Sequence, residues 1–244
     1  MIDFTKISSK KEVGKLFDYA ILPKQTTEKV IRDACKEAIE YNVKALCFSS
    51  SYWTPVVAEE LKGTDILVGA GIGFPFGQQS SAVKAFETEE AVRLGATVLD
   101  NCMNVGALKD KKYAEILQEF KEYKKAAGPA ITKMIIEVCY LTDDEIKTAC
   151  QLVAEAGIDW VKSSSGQYEG PTLEQVILMR ESVNGTNTKV KVSGVNFPRP
   201  QNAYTFLMAG AELIGSRAAI AIIDSFDIMR KIGIIPPYAG SSGD

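Results

Sequence analysis

Ile158-Asp159-Trp160-Val161-Lys162-Ser163-Ser164-Ser165-Gly166 is a short apolar run that carries a lysine and then breaks into a polar, glycine-containing loop. An amphipathic stretch over 172–183 follows, and then Lys189-Val190-Lys191-Val192-Ser193-Gly194, a second apolar run that ends the same way. Strand, helix and strand in succession require a crossover, so the two strands pair in parallel and lie side by side. The same rhythm extends in both directions. Strands are predicted over 19–22, 44–49, 66–71, 97–101, 131–138, 158–163, 189–193 and 212–214. Helices are predicted over 26–41, 52–61, 80–94, 110–126, 142–156, 172–183, 199–209 and 218–232. Thr142 and Glu145 have the spacing of a capping box, and Asp110 is the predicted N-cap of its helix.

Eight strand–helix units in a chain of 244 residues predict an α/β fold built as a single (β/α)8 barrel, which typically takes ~250 residues. Periodicity alone also allows an open doubly wound sheet. No linker-like stretch divides the chain, so residues 1–235 are read as one barrel domain and 236–244 as a flexible C-terminal tail.

Composition narrows the function classes. The formal net charge of −3 argues against nucleic acid or an anionic membrane as partner, while leaving room for a local basic pocket. No apolar run approaches the ~18 residues of a membrane span, and the N-terminus shows no secretory h-region. The five cysteines form no CxxC pair, which fits reduced thiols and a cytoplasmic location. Histidine is absent. A Ser-His-Asp triad, a Cys-His dyad and a His-bound zinc are therefore excluded. Acid–base work must fall to Lys, Asp, Glu, Tyr, Cys or water.

The strand ends of a barrel build its active face. Lys162 and Lys191 both sit near such ends, on consecutive strands, and are expected to face each other. Two close ammonium groups repel, and burial adds to the effect, so one amine is expected to become a neutral nucleophile. Asp100, in Leu99-Asp100-Asn101, interrupts a third strand near its end and is either a proton shuttle or a structural salt-bridge partner. Lys133 and Glu137, four apart on one predicted strand face, are expected to extend the charged network, with Asp18 a further member. Ser193-Gly194-Val195-Asn196 and Ile214-Gly215-Ser216-Arg217 follow the last two strands, where barrel phosphate sites commonly lie. Arg217 is either an anion ligand or a solvent-facing helix-start residue.

Several segments, in order, are similar to the deoxyribose-phosphate aldolase family. Ala45-Leu46-Cys47 with Ser51-Tyr52, Ile72-Gly73-Phe74-Pro75-Phe76-Gly77, and Leu99-Asp100 with Asn104–Leu108 each resemble family segments. So do Ile135-Ile136-Glu137 with Leu141–Glu145, Val161-Lys162-Ser163-Ser164-Ser165-Gly166 and Val190-Lys191-Val192-Ser193-Gly194. The resemblance spans roughly residues 18 to 217. It implies a class I aldolase without cofactor or metal, reversibly cleaving 2-deoxy-D-ribose 5-phosphate to glyceraldehyde 3-phosphate and acetaldehyde. It implies Lys162 as the Schiff-base lysine, Lys191 as the group that perturbs its pKa and Asp100 as the proton relay, with Cys47 supporting. Gly166, Gly194, Val195, Gly215, Ser216 and Arg217 fall at the implied phosphate end. The implied partner is a small phosphorylated sugar, with self-association, as a dimer, left open.

Three positions depart from the family pattern: Ala20, after Tyr19, in place of a hydroxyl residue, Val195 in place of a second glycine, and Arg217 in place of a small hydroxyl residue. They motivate an alternative, a related Schiff-base aldolase with another small sugar phosphate or hydroxyaldehyde. A non-catalytic sugar-phosphate-binding barrel is the rival outside enzymes. Tyr238 is read either as part of a disordered end or as a lid over the site.

Overall fold

A computed structural model describes residues 2–241. A 3-10 turn, Phe4–Lys6, and a short helix α1 (Lys10–Gly14) precede the first strand. Both are too short for apolar periodicity to register. The chain then alternates through β1 (Phe17–Ile21), α2 (Glu28–Tyr41), β2 (Ala45–Phe48), α3 (Thr54–Glu60), β3 (Leu67–Ile72), α4 (Ser81–Arg93) and β4 (Val98–Cys102). It continues through α5 (Val105–Lys109), α6 (Tyr113–Ala127), β5 (Ile131–Ile135), α7 (Asp143–Glu155), β6 (Trp160–Lys162) and α8 (Leu173–Ser182). The last units are β7 (Lys189–Ser193), α9 (Arg199–Met208), β8 (Leu213–Ser216), α10 (Ala219–Asp224) and α11 (Phe226–Lys231). The eight strands close into a barrel in chain order, every pair parallel, with β8 returning to β1. This is the single (β/α)8 barrel that the repeating units predict, and closure rules out the open sheet.

Alternation along each strand divides two interiors. Outward residues such as Leu46, Leu99, Met134, Val161 and Ile214 pack under the helices in two large apolar clusters. Inside the barrel a small apolar plug of Ala45, Cys47 and Val98, with Leu67 and Ile131 against it, fills the end where the strands begin. Above the plug the interior is charged. Two glycines make the room: a Cβ on Gly69 would lie 2.6 Å from Cys47 Sγ, and one on Gly215 would lie 2.3 Å from Ser193 Oγ and 2.9 Å from Lys191 Cε.

Three local expectations are corrected and a fourth is met. Asp110 is not an N-cap: it closes α5, Lys111 takes a left-handed conformation, and α6 starts from Lys112 without a side-chain cap. The predicted 110–126 helix is thus preceded by a separate short one. The predicted 218–232 helix breaks at Ser225 into α10 and α11. The predicted 131–138 strand stops at Ile135, and Glu137 turns left-handed with φ 55°. The Thr142–Glu145 capping box forms, and closes the N-terminus of α7. Of the stretch 236–244, residues 242–244 lie outside the described residues. Ala239–Ser241 form a 3-10 turn that meets the Phe4–Lys6 turn, and the Arg230 guanidinium donates to the backbone oxygens of Pro236, Phe4 and Ile7.

Candidate active site

Strand register brings the charged residues together. Lys162 pairs in register with Lys191 on β7 and with Ile135 on β5, while Asp100 on β4 pairs with Lys133. All four side chains point into the barrel. Asp100 Oδ2 accepts hydrogen bonds from Lys162 Nζ at 2.5 Å and from Lys191 Nζ at 2.8 Å. Asp18 Oδ2 accepts from Lys133 Nζ and lies 2.6 Å from Lys191 Nζ. Lys133 Nζ is also 4.0 Å from the other oxygen of Asp100. The network is a chain of alternating charge: Lys162, Asp100, Lys191, Asp18, Lys133.

This arrangement revises the expected cause of lysine activation. The two lysines do not simply face each other, because Asp100 sits between them. Burial is the largest influence pulling the Lys162 pKa below its usual value, Asp100 pushes it up, and the Lys191 ammonium pulls it down again. Lys191 goes the other way. Burial would lower its pKa, but Asp100 and Asp18 together outweigh burial and hold it well above the usual lysine range. Three lysines against two aspartates leave one positive charge in excess when all five ionise. A buried net charge is costly, which favours a neutral lysine at one end of this chain. Each end lysine hydrogen-bonds one carboxylate, and of the two it is Lys162 that opens on the cavity described next. Both aspartates stay ionised despite burial, their pKa values held down by Lys133 and Lys191 at Asp18 and by Lys162 and Lys191 at Asp100.

A cavity of about 470 Å³ opens above the network at the C-terminal ends of the strands. Lys162, Lys191, Asp100, Asp18 and Cys47 line it, and so do Gly166, Gly194, Val195, Gly215, Ser216 and Arg217. Lys133 does not reach it, lining instead a smaller cavity of about 270 Å³ toward the strand starts, with Leu67, Ile131 and Trp160. Glu137 does not join the network either. With β5 ended early, its carboxylate turns to accept the Ser165 backbone N–H at 2.9 Å, and burial raises its pKa. Cys47 remains a thiol, since burial pushes it up to about 12. Ala20 lines the wall where a hydroxyl residue would have been a donor, whereas Tyr19 points outward and donates to Glu37. Tyr238 is not among the lining residues, so its described position gives no lid.

The structure adds residues the sequence reading passed over. Phe74, Tyr168 and Arg199 line the cavity, Tyr168 stacking edge-on against Tyr140 at 5.4 Å. Arg199 lies 3.9 Å from the centre of the Phe197 ring. A larger cleft, about 670 Å³, flanks the start of β7 at the opposite rim, but none of the network reaches it.

The chain as a whole has counterparts among known proteins. The model of the DeoC/LacD family aldolases matches residues 13–198. The chain belongs to that family. It is 41% identical over 213 residues to deoxyribose-phosphate aldolase 1 of Mesoplasma florum, covering 87% of this chain and 96% of the relative. It is 41% identical over 215 residues to the deoxyribose-phosphate aldolase of Clostridium tetani, covering 87% and 98%. Among solved structures, an aldolase termed QR15 superposes with a TM-score of 0.83 at 34% identity, covering 91% of this chain and 99% of the other. As in the family, the chain is an aldolase, a carbon–carbon lyase. Among the described residues no helix is long and apolar enough to cross a membrane.

Proposed function

We propose that the chain is a class I aldolase that cleaves 2-deoxy-D-ribose 5-phosphate reversibly, with Lys162 as the Schiff-base nucleophile. The observation that carries the reading is the unequal sharing of carboxylates: Lys191 has two at hydrogen-bonding distance and Lys162 has one. At its ordinary pKa of ~10.4 a lysine is neutral in only roughly four molecules in 10,000 at pH 7, and each unit of depression raises that share tenfold. Lys162 also keeps 7% of its surface exposed to the cavity, whereas Lys191 keeps 1%.

Neutral Lys162 Nζ attacks the C1 carbonyl and the carbinolamine loses water to give an iminium. The iminium draws electrons from the C2–C3 bond as the C3 hydroxyl loses its proton, releasing glyceraldehyde 3-phosphate. The enamine left on C1 and C2 is protonated at C2, and hydrolysis returns acetaldehyde and the free amine. Asp100 lines the cavity and its Oδ2 accepts from Lys162 Nζ, which suits the carboxylate to relay protons at the reacting amine. Lys191 holds Asp100 in place and lowers the Lys162 pKa. Asp18 and Lys133 anchor Lys191 from below. The phosphate belongs at the opposite end of the cavity, among Gly166, Gly194, Val195, Gly215, Ser216 and Arg217. All five cysteines are free, which suits a reducing, cytoplasmic compartment. A 24%-identical relative by structure, from Aeropyrum pernix, is described as tetrameric, and we extend self-association to this chain.

Incubation with 2-deoxyribose 5-phosphate and borohydride, followed by digestion, is expected to leave a reduced acetaldehyde adduct on the peptide carrying Lys162. An adduct on another lysine, with none on Lys162, removes the assignment. Ala20 and Arg217 favour one competing substrate reading, another small hydroxyaldehyde or sugar phosphate. A panel of kcat/KM values separates the two, with deoxyribose 5-phosphate expected to lead by orders of magnitude.

A further inference from the structure

We propose that Arg199 and Arg217 form a guanidinium pair that selects the doubly ionised state of the substrate's phosphate. The inference rests on the aldolase reading above and deepens it. Both arginines line the cavity, at the end where Gly194, Gly215 and Ser216 lie. Among the described residues neither has a carboxylate within salt-bridge distance. Three other arginines are satisfied: Arg32 pairs with Glu28 and Glu60, Arg93 with Glu90, and Arg230 with backbone oxygens, whereas Arg180, which likewise has no carboxylate partner, lines the cleft at the opposite rim.

Charge bookkeeping gives the pair its specificity. Below, the network is neutral once Lys162 releases its proton, with Lys133 and Lys191 balancing Asp18 and Asp100. The two unbalanced charges of the cavity lining are therefore Arg199, half-buried, and Arg217, exposed at the mouth. A dianion matches them, and a monoanion leaves one over. Arg199 is also pre-set. Its half-buried guanidinium lies 3.9 Å from the Phe197 ring centre, so stacking holds it while its N–H edge stays open to oxygens. A phosphate monoester takes its second charge at about pH 6. Affinity for the phosphate group must rise as pH passes through that value.

The test uses the full chain and glycerol 3-phosphate, a monoester with no carbonyl to react with Lys162. Calorimetry measures its Kd for the wild type, Arg199→Met, Arg199→Lys and Arg217→Ser, at about pH 5 and about pH 7.5, either side of the second ionisation. Thermal melts confirm that each variant folds. Arg199→Met and Arg217→Ser are each expected to weaken binding roughly tenfold or more at the higher pH, and to flatten the pH dependence. Arg199→Lys falls between. In turnover, each is expected to reduce the preference for deoxyribose 5-phosphate over deoxyribose, through KM. Folded variants that bind as tightly as wild type, or whose pH dependence is unchanged, overturn the pair. Borohydride trapping with acetaldehyde, which carries no phosphate, reads Lys162 separately. If it fails while Kd still depends on Arg199, the aldolase reading falls and the anion pair stands.

Discussion

Lys162 and Lys191 are one strand apart, both buried, and their pKa values are pushed in opposite directions. The difference lies in a single extra carboxylate, Asp18, which reaches Lys191 and not Lys162. The pKa of Lys162 is lowered by burial first and by the Lys191 charge second, against the opposing charge of Asp100. Substitutions on either side of Asp100 should move the acid limb of kcat/KM in opposite directions, because that limb reports the loss of a proton from the free enzyme. Lys191→Met removes a charge that lowers the Lys162 pKa, so the limb should shift to higher pH. Asp100→Asn removes a charge that raises it, so the limb should shift to lower pH. Both should also lose about 10²-fold or more in kcat, the usual scale of a missing acid–base partner. Rate profiles of the two variants moving in the same direction would defeat this account. The sequence could place the two lysines on one face, but not the aspartate between them. Asp100 comes from a strand two positions away around the barrel, and only closure brings it there.

At the scale of elements, strand β7 was fully legible, its predicted and observed bounds being the same, whereas β5 was not. Ile136 and Val138 continue the apolar run of β5, yet both are buried beyond the sheet, Val138 opening a 3-10 turn (Val138–Tyr140). Their backbone N–H groups donate to Lys162 O at 3.0 Å and Ser163 O at 2.9 Å, and Glu137 between them holds the Ser165 N–H. Three hydrogen bonds thus clamp the segment that follows Lys162 and leads to Gly166. Apolar periodicity reads burial and cannot distinguish a buried loop from a strand end. Arg199 was missed for a related reason: a helix-start arginine has no pattern of its own, and the one local signal was its neighbour Phe197. The clamp predicts that Glu137→Ala leaves a buried N–H unpaired and lowers stability by about 1–3 kcal/mol in urea unfolding. Glu137→Gln keeps an acceptor oxygen and should lose well under half as much. Equal losses for the two would assign the effect to packing instead of the hydrogen bond.

For the molecule as a whole, the charged barrel interior is also a stability element, because Asp18 is the hydrogen-bonded carboxylate of Lys133 and shares Lys191 with Asp100. Lys133 and Lys191 are each 1% exposed and both contact Asp18, which is itself sealed from solvent. Asp18→Asn leaves them undercompensated, a change that costs about 3–5 kcal/mol when a buried ion pair loses one partner. For a chain of this size each kcal/mol is worth roughly 2–4 °C in Tm, so a fall of about 6–20 °C is expected near neutral pH. The sign of the pH dependence follows from the folded-state pKa of Asp18, which Lys133 and Lys191 hold below the ordinary value against the opposing effect of burial. A depressed folded pKa gives stability that is complete above the unfolded value of ~3.9 and drains away as pH falls through the folded one. Asparagine has no such proton to take up. Wild type should therefore lose stability in acid faster than the variant, and the two melting curves, far apart at about pH 7, should converge below about pH 4. A gap in Tm that stays constant across that range would mean that the loss at Asp18 is steric, and that the buried charges are compensated by some other group.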